Sequence, residues 1–167
     1  MLNRLKNLTE RVDGSNELVG QWLLDRKHLL VAWYNLVGLK PARNSLAAID
    51  ETALDAFCQG LVDYLSAGHF HIYARIIREM KGNDAQLAAT QLCPLLEANT
   101  QHIMAYYDLH LESALDHDDF AEFQQALSGL GEAMESRFAL EDRLILIALG
   151  IEQDSSANDD NQLSHPA

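Results

Sequence analysis

Seven histidines, twenty-five acidic side chains and two cysteines are the groups in this sequence best able to do chemistry, and their spacing decides which chemistry is open. A di-iron or di-manganese site inside a helical bundle needs Glu-x-x-His pairs projecting inward from two helices, with further glutamates from the others. No Glu here has His three residues later, and Asp25 with His28 is the nearest imitation. His69 and His71 stand two apart, which turns them to different sides of a helix, so the pair alone cannot hold one ion. "DHDD", residues 116–119, lacks the glycine turn and spaced ligands of a calcium loop and reads as a capped helix start with a spare His. Cys58 and Cys93 have no CxxC and no His at zinc-finger spacing, so both are expected to be reduced core thiols.

Nucleophilic and phosphoryl-transfer chemistry finds no better foothold. There is no G-x-S-x-G turn, no phosphate-binding glycine loop, and no His close in sequence to either Cys. A histidine phosphotransfer module carries an exposed His mid-helix in an H-x-x-K-G-like run, and "KHLLVAW" around His28 lacks the Lys and Gly. That module and a metal-binding helical bundle are the alternative readings, each without a complete motif. No enzyme activity, catalytic residue, metal ligand or cofactor is expected.

The elements that must position these groups read as helical throughout. Apolar residues recur at three- and four-residue steps, no segment alternates, and there are only three prolines. Leu5, Leu8 and Val12 mark a first helix that meets "DGSNE", where Gly14 breaks it and Ser15 or Asn16 caps a new start; a kinked single helix is the alternative. "ELVGQWLLDRKHLLVAWYNLVG" follows as a central helix and stops near Gly38, with Pro41 beyond. The next begins at Asp50 or Thr52 and runs to Ala67, with Leu54, Phe57, Cys58, Leu61 and Leu65 inward and Val62 at the margin. Gly68 is expected to separate it from a shorter helix over 69–81, whose inward positions are Tyr73, Ile76, Ile77 and Met80. Asp84 opens a long helix to about Leu115 that Pro94 must kink or restart. Phe120, Phe123, Leu127, Leu130, Met134 and Phe138 mark the last helix, to about Ile151. The expectation is an all-α antiparallel helical bundle of four main helices plus short helices over residues 1–151. Residues 152–167, "EQDSSANDDNQLSHPA", form an acidic tail expected to be disordered.

Composition narrows the partners. The 167 residues are 48% hydrophobic, enough for one domain with a real core. No window approaches a membrane span, and "MLNRLKNLTERV" spaces its leucines with charges where a signal peptide needs an apolar block, so a soluble cytoplasmic monomer is expected. The net charge of −13 is uneven, +2 over residues 1–50, −4 over 51–111 and −11 over 112–167. Such a surface repels phosphate backbones and attracts basic partners, which disfavours direct nucleic-acid binding.

One surface stands out. On a helix over 50–67, Ala56, Gly60, Asp63 and Ala67 fall together, opposite the core face, at about 100° per residue. Solvated faces usually carry long charged chains, and a mid-helix Gly costs about 1 kcal/mol against Ala. Small residues around a single acid make a flat strip, either covered by another helix of this chain or open to a partner helix whose basic side chain reaches Asp63. Phe70 lies about 70° off its own helix's core direction, as core edge or as exposed anchor.

The strings "NLTERV", "RKHLLVAWYNLVGLKP", "FCQGLVDYLSAGHF", "LEANTQ", "MAYYD" and "FALEDRLIL" closely resemble the Rsd/AlgQ family of anti-sigma regulators, in register from Met1 to about Ile151. The chain departs from that resemblance in "LVGQWLLD", in "ARNSLAAID" and in a longer acidic tail. The resemblance implies a helical protein that binds the C-terminal, −35-reading region of the primary sigma factor and keeps it from core RNA polymerase and promoter DNA. Transcription then shifts towards alternative sigma factors in stationary phase. It also implies that the family's sigma-binding Asp and Phe are Asp63 and Phe70, which tips the small-residue strip towards docking. The expected partner-binding set is therefore Ala56, Gly60, Asp63, Tyr64, Ala67 and Phe70, with other regulatory proteins as further partners.

Overall fold

The computed structural model describes residues 1–12, 14, 16–38 and 50–151, and among these every regular element is helical and no strand occurs. Helix α1 (Leu2–Val12) buries Leu5, Leu8 and Val12. Gly14 at φ 70° turns the chain, and the Asn16 side chain accepts from the Val19 amide at 3.1 Å to start α2 (Glu17–Val37). The break is therefore realised rather than the kinked single helix. Ser15, Pro41, most of the "ARNSLAAID" string and the tail from 152 lie outside the described residues. Helix α3 (Glu51–Ala67) starts where Asp50 accepts from the Thr52 amide at 2.9 Å.

The expected break at Gly68 does not occur. Gly68 keeps helical angles, φ −59° and ψ −54°, and Gly68–Ile72 forms one wide turn that runs straight into α4 (Tyr73–Glu79). Its role is close approach. A Cβ there would stand 2.6 Å from the Tyr73 hydroxyl and 3.3 Å from an Arg137 nitrogen. Pro94 does restart the next run, between α5 (Asn83–Thr90) and α6 (Cys93–Tyr106). A second wide turn, Tyr107–Glu112, leads to α7 (Ser113–Asp116). Asp119 then accepts from the Glu122 amide at 3.0 Å, opening α8 (Phe120–Leu149), which Gly150 ends at φ 62°. No helix among the described residues is long and apolar enough to cross a membrane.

Helix α8 is the post on which the others hang. All six of its expected inward residues are buried, from Phe120 to Phe138. The Trp33 indole donates to the Leu127 carbonyl at 2.9 Å, tying α2 to α8, and the Asn99 amide donates to the Ala133 carbonyl at 3.0 Å, tying α6 to it. Inside, a polar network replaces part of the apolar core. Glu141, fully buried, accepts from Tyr64 of α3, from Tyr73 of α4 at 2.6 Å, from Arg26 of α2 at 3.1 Å and from Arg137 at 3.0 Å. Arg26 also reaches Asp142, and Arg137 reaches Thr100 of α6 at 2.7 Å. Asp142 takes one further donor, Arg4 of α1, at 3.2 Å.

Burial pushes the Tyr64 and Tyr73 hydroxyls well above their ordinary range, and the Glu141 carboxylate adds to it. For Arg26, burial works against the charge, but Tyr64, Glu141 and Asp142 more than offset it, so the guanidinium is held above its ordinary range. The sign for the tyrosines follows from linkage. The unfolded chain releases these protons near pH ~10 while the folded one keeps them, so their stabilisation is complete below that pH and is lost as pH rises above it. Denaturant midpoints measured between pH 8 and 11 should fall steeply above pH ~10, and less steeply in Tyr73→Phe. Gly68→Ala should lower stability by about 1–3 kcal/mol in the same assay, because Tyr73 and Arg137 must both shift from their partners.

Candidate functional site

Helices α2 and α3 pack together but leave an open groove of about 520 Å³ along their outer edge. One wall comes from α3, with Ala56, Gly60, Asp63 and Ala67, and the other from α2, with Asp25, His28 and Ala32. Trp22, Leu29, Tyr64 and Ile72 make the floor. The small-residue strip thus forms a groove wall, with α2 beside it rather than over it. Gly60 makes this plain, since a Cβ there would meet only the Leu29 Cδ1 at 3.9 Å. Small side chains keep the wall low, so the groove is wide enough for a side chain or the edge of a helix.

Asp63 is exposed on the rim and accepts from Gln59, one turn earlier on its own helix, at 2.8 Å. Phe70 lies on the wide turn that follows α3. That turn sends Ile72 and Tyr73 inward, both under 10% exposed, and leaves Phe70 68% exposed, stacked edge-on against His69 at 4.8 Å. Of the two readings of Phe70, the exposed one holds. Tyr64 differs from its expected place among partner-binding side chains. It lies seven residues after Phe57 and three after Leu61, on the same helical face, and is 5% exposed. Its hydroxyl is committed to Glu141 and Arg26. It carries the groove floor from below.

The buried network was not anticipated, although a signal for it exists. Arg26 falls in step with Trp22 and Leu30, and Glu141 with Met134 and Phe138, so charged residues occupy core positions of two apolar stripes. The Asp25 wall was missed as well, because nothing in sequence pairs residue 25 with residue 63. Burial holds the Cys58 and Cys93 thiols above their ordinary range, which keeps them protonated and poorly nucleophilic. Among the described residues no group of three His, Cys, Asp or Glu side chains is placed to hold a metal ion.

Fold and groove together define a class: a small acidic helical protein whose distinctive feature is an exposed groove with an apolar floor and carboxylate rims. The family model described as Regulator of RNA polymerase sigma(70) subunit, Rsd/AlgQ, matches residues 1–148, and the chain belongs to that family. It is a family of regulators, not of enzymes. Over 167 residues, covering all of both chains, the sequence is 60% identical to the Regulator of sigma D of Enterobacter sp. (strain 638). Over the same full span it is 58% identical to the proteins of that name from Escherichia coli (strain K12 / DH10B) and Shigella boydii serotype 18.

Gly60→Ala distinguishes a low wall from a packed one. With no close contact for the new methyl and a helix propensity gain of about 1 kcal/mol, it should raise the thermal midpoint by a few degrees, in contrast to Gly68→Ala.

Proposed function

We propose that this chain is an anti-sigma factor that captures the C-terminal, −35-reading region of the primary sigma factor through the α2–α3 groove and Phe70. The observation that carries the proposal is that a member of a sigma(70)-regulator family presents a rim carboxylate, Asp63, on α3 and a 68%-exposed aromatic, Phe70, on the wide turn that continues that helix. A module that reads promoter DNA must be basic to hold phosphates. An acidic protein therefore meets it faster than chance encounter allows, in a salt-dependent way. Burial of the Phe70 ring then slows release. Charge guides and burial holds.

Capture of this kind is stoichiometric masking. It denies sigma both to core RNA polymerase and to promoter DNA, and it favours alternative sigma factors in stationary phase. The chain acts as a cytoplasmic monomer without touching nucleic acid itself. The scaffold is in this reading a four-helix antiparallel bundle, with α2, α3 running into α4, α5–α7 and α8 as its members and α1 as a brace.

Titration of the full chain with sigma's C-terminal domain tests this. Phe70→Ala should cost at least ~2 kcal/mol, mainly as a faster off-rate, and Asp63→Ala should weaken binding at least several-fold with the helical circular dichroism unchanged. Folded variants that bind as tightly as the parent would show that the surface is assigned wrongly.

A further inference from the structure

We infer that Asp25 is a second, specificity-determining carboxylate of the docking groove, and that Asp25 and Asp63 together clamp one basic side chain of the partner helix. The inference rests on the reading of the groove as the sigma-docking surface and adds the wall that faces Asp63. Asp25 stands on α2 and Asp63 on α3, and both line the same groove. Each carboxylate has the same arrangement: one oxygen accepts from a glutamine four residues earlier, Gln21 at 2.9 Å and Gln59 at 2.8 Å. No donor among the described residues meets the second oxygen of either.

Several cations among the described residues are matched with acids: Arg4 and Arg26 with Asp142, Lys6 with Glu10, Arg75 with Glu79, Arg137 with Glu141. Neither groove carboxylate has a cation among the described residues. Two carboxylates facing one apolar-floored groove raise its negative potential more than either does alone, because the low-dielectric floor of Trp22, Leu29 and Ile72 limits screening. The chemistry that satisfies them is a guanidinium, whose planar fork of five donors can address two carboxylates at once. The apolar floor receives the stem of that side chain and its neighbours on the partner helix.

The test is the affinity of the full chain for sigma's C-terminal domain at three salt concentrations, for the parent and for Asp25→Asn, Asp25→Glu, Asp63→Asn and the double Asn variant. Asp25→Asn should weaken binding about fivefold to tenfold and flatten the salt dependence, and Asp25→Glu should restore most of both. Because one cation is shared, the double variant should lose less than the product of the two single effects. Asp25→Asn indistinguishable from the parent beside a weakened Asp63→Asn would overturn the clamp and leave the sigma reading standing. A parent chain that does not bind at all would remove the sigma reading, and the clamp with it. Equal weakening with an unchanged salt slope, unrescued by Glu, would show that Asp25 acts only through local structure.

Discussion

A single buried carboxylate organises the molecule. Glu141 has no contact with solvent and accepts from four side chains on four helices, α2, α3, α4 and its own α8. An ionised group in that position is tolerated only if every oxygen is satisfied and the charge is matched, and Arg26 and Arg137 supply both conditions. Asp142 completes a set of two cations and two anions. Apolar packing alone would allow these helices to slide along one another. Directional bonds to one carboxylate favour a single register, because displacing any of these helices by a residue takes a donor from the buried carboxylate.

The same network sets the shape of the docking surface. Tyr64 and Arg26 hold α3 against α2 at depth, through a hydroxyl and a guanidinium that meet at 3.2 Å. Above them the small residues of α3 cannot fill the space between the two helices, and the groove is what remains. Gly68 serves the network as well. Its missing side chain lets Tyr73 and Arg137 come in under the end of α3, and the wide turn that follows presents Phe70 outward. Depth and surface are thus coupled through adjoining residues of one continuous helical run, Glu51 to Glu79.

Charge is divided in the same economical way. The interior network is balanced, and among the described residues the other acidic side chains stay outside the core, where water solvates them at little cost. A surface of that sign keeps the protein dispersed and draws basic partners, while discrimination rests on the few carboxylates that border an apolar floor.

Much of the helical plan was legible from spacing alone. The stripe Phe120 to Phe138, the caps at Asn16, Asp50 and Asp119 and the restart at Pro94 follow from local rules that need no knowledge of neighbours. Asp63 and the small residues around it were legible for the same reason, since position around one helix is a matter of arithmetic. What local rules misjudged was Gly68, because a glycine that breaks a helix and one that admits a neighbouring side chain look identical until the neighbour is in place. Tyr64, Arg26, Glu141 and the pairing of Asp25 with Asp63 belong to that second kind. By itself the sequence determined where most of the helices run and which face of each turns inward. Only the tertiary structure decided which faces meet, since burying a charge or opening a groove depends on groups more than a hundred residues apart, such as Arg26 and Glu141, arriving at one point.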